Sequence, residues 1–400
     1  MKNKSLKPGW RWVKFGDVVR LPKTKSKDPL ADGFERYVGL EHLEPGDLRI
    51  RSYGNVADGV TFTSVFQPGQ VLFGKRRAYQ RKVAVADFSG VCSGDIYVLE
   101  TKDPQVLLPE LLPFICQTEA FFEHAVGTSA GSLSPRTNWV NLADFEFVLP
   151  PISEQLSAIT ALKAAIDVCY SLEATYIAAG RMVQAFKDSL SKRYNSNDIK
   201  SYLLKELLLG SPDSGCSAPP KDVSTGYFVL SLSALSRDGY ISEEYKPVEP
   251  TSKMLAAKLE FGDMLISRSN TVERVGYVGI FSDERDDVSF PDTMMRLRPN
   301  PSLIIPDFLE ALLQTTSSRE YLMRIAAGTS ASMKKINRAN LLQMPLKVPS
   351  IHLQNEALKE LRKLKEGANK QVISSQADSL IKISRIWADF FPANTSNQPI

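Results

Sequence analysis

Residues 127–130 read GTSA, and the same four residues recur at 328–331. Further segments match in the same order along the two halves of the chain: YVGL at 37–40 with VLSL at 229–232, GQVLFGK at 69–75 with GDMLISR at 262–268, NWVNL at 138–142 with NRANL at 337–341, and LPPISEQ at 149–155 with VPSIHLQ at 348–354. A repeat of about 200 residues is too long for a solenoid, whose units span roughly 20–50 residues. The pattern therefore predicts a tandem duplication of a whole domain; the alternative is two unrelated domains that share common turn residues.

Each half begins with short apolar runs typical of β-strands, followed by a shorter amphipathic helix. The predicted strands are Arg36–Leu40, Gln70–Phe73, Val83–Ala86 and Ile96–Leu99 in the first half, and Tyr227–Leu232, Asp263–Ser267, Tyr277–Phe281 and Met294–Leu297 in the second. The shorter helices are predicted around Pro109–Glu123 and Pro306–Ile325. The sequence thus predicts an α+β fold with a mixed sheet and helices in each half.

A long helix is predicted at the end of each half. Apolar residues recur at steps of three and four from Ile159 to Leu190, which predicts a helix of about 36 residues and about 54 Å. The same spacing continues after Pro349, from Leu358 to Phe390. Helices this long with one apolar face are expected to pack on each other as an antiparallel coiled coil, in a pseudo-twofold arrangement. The alternative is that each helix lies on the surface of its own domain.

The composition is that of a soluble globular protein, with 43% hydrophobic and 24% charged residues. It excludes a collagen-like or wholly disordered chain, and 400 residues suit two domains. No apolar run reaches the roughly 18 residues of a membrane span, and no apolar segment of a signal peptide follows the basic N-terminus. Four widely separated cysteines indicate neither a metal site nor a disulfide framework. A cytoplasmic location without membrane contact is expected.

The sequence contains no recognisable catalytic or cofactor motif. Its three histidines, His42, His124 and His352, are isolated, and there is no phosphate-binding GxxxxGK[ST] loop and no GxGxxG after a strand. The Glu and Lys residues at 243–246 form a charge cluster expected to be solvated. We therefore expect neither catalysis nor a metal or cofactor on this chain.

Basic loops occur at equivalent places in the two halves. The net charge of +4 is too small to indicate a nucleic-acid-binding protein by itself, so any such site must be local. Residues 75–82 hold five cations, and side chains that can read base edges or hold phosphates mark both halves. The candidates are Lys75, Arg76, Arg77, Tyr79, Gln80, Arg81 and Lys82 in the first half, and Arg268, Ser269, Asn270 and Arg274 in the second. The alternative is that these loops are only solvated.

The loops that follow the two GTSA segments combine hydroxyls with cations in the same way. These further DNA-binding candidates are Thr128, Ser129, Ser132 and Arg136, with Ser134 beside them, and Thr329, Ser330, Lys334 and Lys335, with Ser332 beside them. Exposed hydroxyls and backbone N–H groups there can hold a phosphate. The alternative role of these hydroxyls is helix capping.

The repeated motifs GTSA, NxxNL and PPISEQ, each followed by a long helix, resemble the specificity (S) subunit of type I restriction-modification systems, the HsdS family. The likeness extends from Trp10 to about Phe391. The second repeat departs from the pattern by losing the Glu of SEQ, and the first has Gln70 and Lys75 where the second has Asp263 and Arg268.

The resemblance implies a non-catalytic subunit in which each target recognition domain reads one half of a split, asymmetric double-stranded DNA sequence. It implies that the long helices set the half-site separation and dock two methyltransferase subunits, which bind S-adenosylmethionine and methylate adenine N6. A restriction and translocase subunit would bind ATP and Mg. Because about 54 Å exceeds one duplex turn of roughly 34–36 Å, half-sites centred about one turn or slightly more apart are expected.

The predicted domain order is a target recognition domain at 1–150, a helical spacer at 151–197, a second recognition domain at 198–348, and a helical spacer with tail at 349–400. Two other functions stay open at this point. One is a duplicated protein-interaction scaffold without a DNA role, and the other is a stand-alone nuclease or methyltransferase with an unrecognised site.

Overall fold

The computed structural model describes residues 6–190, 192–195, 198–328 and 333–367. The chain forms two compact units whose boundary lies between Cys169 and Tyr170. Unit 1 is the described part from residue 6 to 169, and unit 2 is the described part from 170 to 367. No helix among these residues is long and apolar enough to cross a membrane.

Unit 1 alternates short strands with short helices before a long helix. Its strands are β1 Arg11–Lys14, β2 Val19–Arg20, β3 Arg36–Val38, β4 Gly54–Asn55, β5 Ser64–Phe66, β6 Val71–Gly74, β7 Val83–Val85, β8 Gly90–Cys92, β9 Ile96–Thr101 and β10 Glu146–Leu149. Its helices are α1 Phe15–Val18, α2 Leu112–Cys116, α3 Glu119–Gly127, α4 Trp139–Ala143 and the first part of α5 Ile152–Ser189.

Two four-stranded sheets organise unit 1. One has the order β2-β9-β6-β7 and the other β4-β3-β8-β5, in which β3 and β8 are parallel. In β6 the side chains of Val71 and Phe73 face the core that also contains the helices, whereas Leu72 faces the second core. This alternation is the period of two expected of a strand buried on both faces.

Unit 2 repeats this plan. Its strands are β11 Ile199–Leu203, β12 Asp213–Ser214, β13 Phe228–Leu230, β14 Leu235–Ser236, β15 Gly239–Tyr240, β16 Tyr245–Pro247, β17 Met264–Ser267, β18 Ser269–Asn270, β19 Val278–Ile280, β20 Val288–Ser289, β21 Met294–Leu297, β22 Ala326–Ala327, β23 Lys334–Ile336 and β24 Pro345–Pro349. Its helices are the end of α5, α6 Ser252–Ala256, α7 Pro306–Leu313, α8 Thr316–Ile325, α9 Arg338–Leu342 and α10 at 351–367.

The two main sheets of unit 2 correspond to those of unit 1, although the second has three strands, β16-β13-β20, where unit 1 has four. The order β12-β21-β17-β19 corresponds to β2-β9-β6-β7, and β13 pairs with β20 in parallel, as β3 pairs with β8. The antiparallel pairs β1–β10 and β11–β24 also correspond. The duplication and the α+β class predicted from the sequence are therefore confirmed.

The repeated glutamine before each long helix has the same structural role in both units. The fully buried Gln155 accepts the Leu108 N–H at 2.9 Å and donates to the carbonyls of Val106 and Pro150, both at 2.9 Å. In unit 2, Gln354 is also fully buried. It accepts the Ile305 N–H and donates to the carbonyls of Leu303 and Pro349 at 2.9–3.0 Å. Each amide thus satisfies three backbone groups of half-buried or buried residues.

The prediction of one shorter helix in each half is wrong in one respect, because a threonine divides each predicted helix into two. Thr118 separates α2 from α3: its hydroxyl donates to the Ile115 carbonyl and accepts the Phe121 N–H. Thr315 separates α7 from α8 through equivalent bonds to Leu312 and Ser318. A threonine at an N-cap begins a new helix because its side chain satisfies a backbone N–H that has no intrahelical partner.

The first long helix is confirmed as α5, with 38 residues and a length of about 57 Å. Its early apolar residues, such as Ile159, pack in the core of unit 1, and its late ones, such as Phe186, pack against the core of unit 2. In α10, Leu358 and Leu361 are buried in the core of unit 2. The rest of the second predicted helix, with Val372, Trp387 and Phe390, lies outside the described residues, so the coiled coil remains a prediction.

Lys187 of α5 is a charged group buried inside unit 2, and its Nζ donates to Gln314 Oε1 at 2.7 Å. Burial lowers the pKa of this lysine to about 8; the surrounding charges, which act in both directions, are those of Lys365, Asp238, Glu310 and Arg237. We expect Lys187→Met to raise the free energy of unfolding at pH 7 by about 2 kcal/mol, because the buried charge is removed.

The increase in the free energy of unfolding caused by Lys187→Met should depend on pH. Because the folded-state pKa lies below the ordinary value of 10.5, the unfolded state binds more protons between about pH 8 and 10.5, so the wild type recovers stability as the pH rises through that window. Urea unfolding of both proteins at pH 7 and pH 10 measures the difference. A difference in the free energy of unfolding between the two proteins that is larger at pH 10 than at pH 7 would contradict this account.

Candidate nucleic-acid interface

Two loops of unit 1 that the sequence marks as basic lie against each other. The loop at 75–82 connects β6 to β7, and the loop at 128–137 connects α3 to α4. The Arg77 N–H donates to the Pro135 carbonyl at 2.7 Å, and the Thr137 N–H donates to the Lys75 carbonyl at 3.0 Å. These backbone bonds hold the two sets of predicted residues together on one surface carried by the sheet. We call residues 75–82 and 128–137 the unit 1 loop pair.

Three arginines of the unit 1 loop pair surround one carboxylate and one hydroxyl. Arg136 donates to Asp95 at 2.7 and 3.3 Å, and Arg76 donates to the same carboxylate at 3.3 Å. The Ser134 hydroxyl accepts from Arg76 at 3.0 Å and from Arg77 at 3.2 Å. The hydrogen bond from Arg136 holds the pKa of Asp95 below its ordinary value. The carboxylate therefore stays ionised at neutral pH and keeps two guanidinium groups in fixed positions.

Of the other cations of this loop pair, only Arg81 has a carboxylate partner among the described residues. Arg81 pairs with Glu119, and Lys82 donates to the Leu40 carbonyl at 2.7 Å. Among the described residues, no carboxylate lies within salt-bridge distance of Lys75 or Arg77. Lys75 instead lies 4.6 Å above the Tyr97 ring. The loop pair therefore carries excess positive charge, contributed by Lys75, Arg77 and Lys82.

The turn that contains Tyr79 has an unusual backbone. Arg77 and Arg81, on either side of a short 3-10 turn, both adopt left-handed backbone angles, with φ of 53° and 55°. For a residue with a Cβ this conformation costs roughly 1–2 kcal/mol. The turn places Tyr79 at the surface with 55% of its area exposed. Gln80 is half-buried in the same turn, and its N–H donates to the Arg77 carbonyl.

The hydroxyls of Thr128 and Ser129 bond to the end of the preceding helix α3, whereas the capping alternative expected such hydroxyls to begin the following turn. Thr128 donates its hydroxyl to the His124 carbonyl, and Ser129 donates to the Ala125 carbonyl. Both side chains thus satisfy carbonyls at the end of α3. Ser132 is exposed in the loop beyond. These contacts leave a phosphate contact at Thr128 and Ser129 as a prediction.

Equivalent backbone hydrogen bonds hold the corresponding loops of unit 2 together. The Arg268 N–H donates to the Thr293 carbonyl, as Lys75 does to Asp95, and the Ile336 N–H donates to the Arg268 carbonyl, as Thr137 does to Lys75. Ser269 faces Lys335 in the β18–β23 pair, as Arg76 faces Arg136 in unit 1. The structure therefore brings residues 268–270 and 334–336 together, and we call the loops that contain them, residues 268–274 and 333–336, the unit 2 loop pair.

The unit 2 loop pair presents fewer of its predicted side chains to solvent. Ser269 and Asn270 are buried, whereas Arg274 and Lys335 are exposed. Lys334 donates to the Gly328 carbonyl at 2.6 Å. Arg268 is half-buried, and its Nε has no hydrogen-bond partner among the described residues. Thr329 and Ser330 lie outside the described residues.

Asp95 is the residue of this site that the sequence analysis missed. It lies in the turn between β8 and β9, where an acidic residue has no distinguishing signal. In unit 2 the carbonyl that accepts the equivalent hydrogen bond belongs to Thr293, which is not acidic. The repeat in the sequence therefore does not indicate Asp95 either. Only the fold brings Asp95 within reach of Arg76 and Arg136.

The described residues show no cluster of His, Cys, Asp and Glu able to hold a metal ion. The His124 ring contacts the Asn141 carbonyl at 2.7 Å and packs on Phe145. The features that stand out are therefore basic and polar loop surfaces. Together they define a duplicated α+β protein in which each unit carries one basic loop pair on a sheet and packs against part of a long helix.

Two known proteins have sequences similar to part of this chain. The chain is 29% identical over 154 residues to the specificity subunit of the type I restriction enzyme EcoDI of Escherichia coli, and 23% identical over 185 residues to the putative type I restriction enzyme MjaX specificity subunit of Methanocaldococcus jannaschii. These matches span 38% and 45% of this chain, and only 33% and 43% of the two relatives. No protein-family model matches the chain.

The fold comparison covers nearly the whole chain. A solved chain from a type I restriction-modification system superposes with a TM-score of 0.60 over 96% of this chain and 97% of that one, at 16% identity. The resemblance to specificity subunits of type I restriction-modification systems, predicted from the repeated motifs, is confirmed by the sequence matches. The superposition supports the fold.

Proposed function

We propose that this chain is the non-catalytic DNA-recognition subunit of a type I restriction-modification complex. Each unit reads one half of a bipartite, asymmetric sequence in double-stranded DNA. The observation that carries the proposal is the pair of basic loop surfaces, fastened by the same backbone hydrogen bonds in both units. Guanidinium and ammonium groups held on a rigid sheet suit contact with phosphates and base edges.

The long helices have two roles in this proposal. They set the separation of the half-sites and dock two methyltransferase subunits. Catalysis takes place on the partners, which bind S-adenosylmethionine for adenine methylation, and on restriction and translocase subunits, which use ATP and Mg. In such a complex the chain works in the cytoplasm, where the host DNA lies.

Shortening α5 by one heptad tests the proposed role of this helix. Removing residues 170–176 shortens a helix by about 10.5 Å while nearly preserving its rotational phase, because seven residues make almost two turns. We expect the two half-sites recognised by the complex to move closer by at least one and at most about three base pairs. The measurement is sequencing of methylated sites in DNA modified by the variant complex.

The half-site sequences themselves should not change in this variant, which provides an internal control. Recognition of the same half-sites at unchanged spacing would count against the spacer role. Loss of either half-site alone would mean that the deletion damages the unit that reads it rather than the spacing.

A further inference from the structure

A cleft of unit 2 gathers three arginines at the edge of one of its main sheets. Arg296 lies in β21, Arg298 follows that strand, and Arg338 is the first residue of α9. The edge strand β12, with Asp213 and Ser214, also lines the cleft, which has a volume of about 510 Å³. We call it the arginine cleft, and its three arginines lie outside the unit 2 loop pair.

Carboxylates hold two of these arginines in fixed positions. Arg296 is only 8% exposed, and its guanidinium donates to Asp213 at 3.3 Å and to Asp263 at 2.8 Å. The Nη2 atom of Arg298 lies 2.8 Å from an oxygen of the same Asp213 carboxylate. Asp213 therefore orients two guanidinium groups, as Asp95 does in the unit 1 loop pair.

The third arginine has donors left for a ligand. Arg338 is exposed, and its Nη2 donates to the Ser214 hydroxyl at 2.8 Å. No carboxylate in the described part of the chain lies within salt-bridge distance of it, so the cleft has more arginines than carboxylates. A guanidinium has five N–H donors in a planar fork, which matches the oxygens of a phosphate group.

Unit 1 has different residues at the corresponding positions. By strand register Val98 corresponds to Arg296, and in the repeated NxxNL motif Trp139 corresponds to Arg338. The Trp139 ring packs against Phe15, with 6.2 Å between the ring centroids. The arginines are thus a feature of unit 2 and not of the repeat.

The arginine cleft lies beside the unit 2 loop pair. Ser214 pairs with Met295 in β21, two residues after Thr293. The Thr293 carbonyl accepts the N–H of Arg268, which belongs to the loop pair. Arg338 follows β23, the strand of the other loop, after a single residue. A DNA strand bound at the loop pair carries phosphates at regular intervals, so one of them can reach the cleft.

We infer that the arginine cleft binds one backbone phosphate of the DNA, beside the half-site that unit 2 reads. Arg298 and Arg338 donate to the phosphate oxygens, and Asp213 holds Arg298 in place. The inference rests on the proposed function. This contact carries no sequence information, because every nucleotide has the same phosphate, and it fixes the position of the duplex on unit 2.

The test is methylphosphonate scanning with the full chain assembled with its methyltransferase subunits. The duplex carries the sequence that this complex methylates, and each methylphosphonate removes the charge of one chosen phosphate. We expect one neutral linkage beside the half-site of unit 2 to lower the affinity of the wild-type complex about tenfold.

Arg338→Gln should lower the affinity for the unmodified duplex about tenfold and reduce the salt slope by about one. The neutral linkage that weakens wild-type binding should then have no further effect, because its arginine partner is gone. The half-site sequences should stay the same.

The matched control is Arg20→Gln, which removes an exposed arginine beside Glu100 from β2, the edge strand that corresponds to β12. Its affinity and methylphosphonate profile should stay as in the wild type. Wild-type DNA binding by Arg338→Gln would overturn the inference and leave the proposed function intact. So would a variant that binds more weakly but responds to every neutral linkage as the wild type does. A wild-type complex that prefers no sequence would overturn both.

Discussion

Replacing Lys75 and Arg77 together by alanine is expected to lower the affinity of the assembled complex for duplex DNA about a hundredfold at physiological salt. Among the described residues these two cations of the unit 1 loop pair have no carboxylate within salt-bridge distance, whereas Arg76 and Arg136 share Asp95. Cations without an internal counter-ion contribute most to phosphate binding. The slope of log affinity against log salt concentration should fall by about two, one for each lost phosphate contact.

The matched control is Lys23→Ala with Lys27→Ala, which removes the same charge from exposed lysines elsewhere in unit 1. This pair should change the salt slope much less. Fluorescence anisotropy with a labelled duplex at several salt concentrations measures both quantities. If the Lys75 and Arg77 variant bound DNA as the wild type does, the basic surface would not be a DNA interface, and a protein-interaction scaffold would become the better explanation.

Replacing Gln155 by leucine is expected to destabilise unit 1 by about 3 kcal/mol. Leucine has a similar size but no polar atoms, so the Leu108 N–H and the carbonyls of Val106 and Pro150 would lose their bonds to the amide. Leaving buried backbone groups unpaired costs about 1–3 kcal/mol each. Urea unfolding gives the stability, and hydrogen exchange of the Leu108 amide reports the local effect.

Two further variants make this prediction specific. Gln105→Leu alters an exposed glutamine in the segment just before Leu108 and should change stability by less than about 0.5 kcal/mol. Gln354→Leu should have the same effect in unit 2 as Gln155→Leu in unit 1, with faster exchange of the Ile305 amide. A large loss in only one unit would show that the two glutamines are not equivalent.

The sequence predicted much of the fold because its signals were repeated. The strands β6 and β17, the long helix α5 and the α+β class all followed from apolar periodicity and from motifs that occur twice. The predicted helices around 109–123 and 306–325 failed at Thr118 and Thr315. The periodic pattern continues across these threonines, and only the capping hydrogen bonds reveal the break.

The site was harder to predict than the fold, because a sequence shows which cations are near each other but not which are neutralised. Lys75 and Arg76 are adjacent, yet only Arg76 reaches Asp95. Ser269 and Asn270 have suitable chemistry for reading bases, but the β18–β23 pair buries them. Such differences depend on distant contacts that a local pattern does not contain.

Sequencing the methylated adenines of host DNA modified by the complex that contains this chain tests the central claim most directly. Two units, each with its own loop pair, predict a methylated sequence in two different short parts, separated by a fixed number of unspecified base pairs. The centres of the two parts should lie about one duplex turn or slightly more apart. Methylation of one continuous palindrome would contradict the account, because a single symmetric site leaves no role for two different readers.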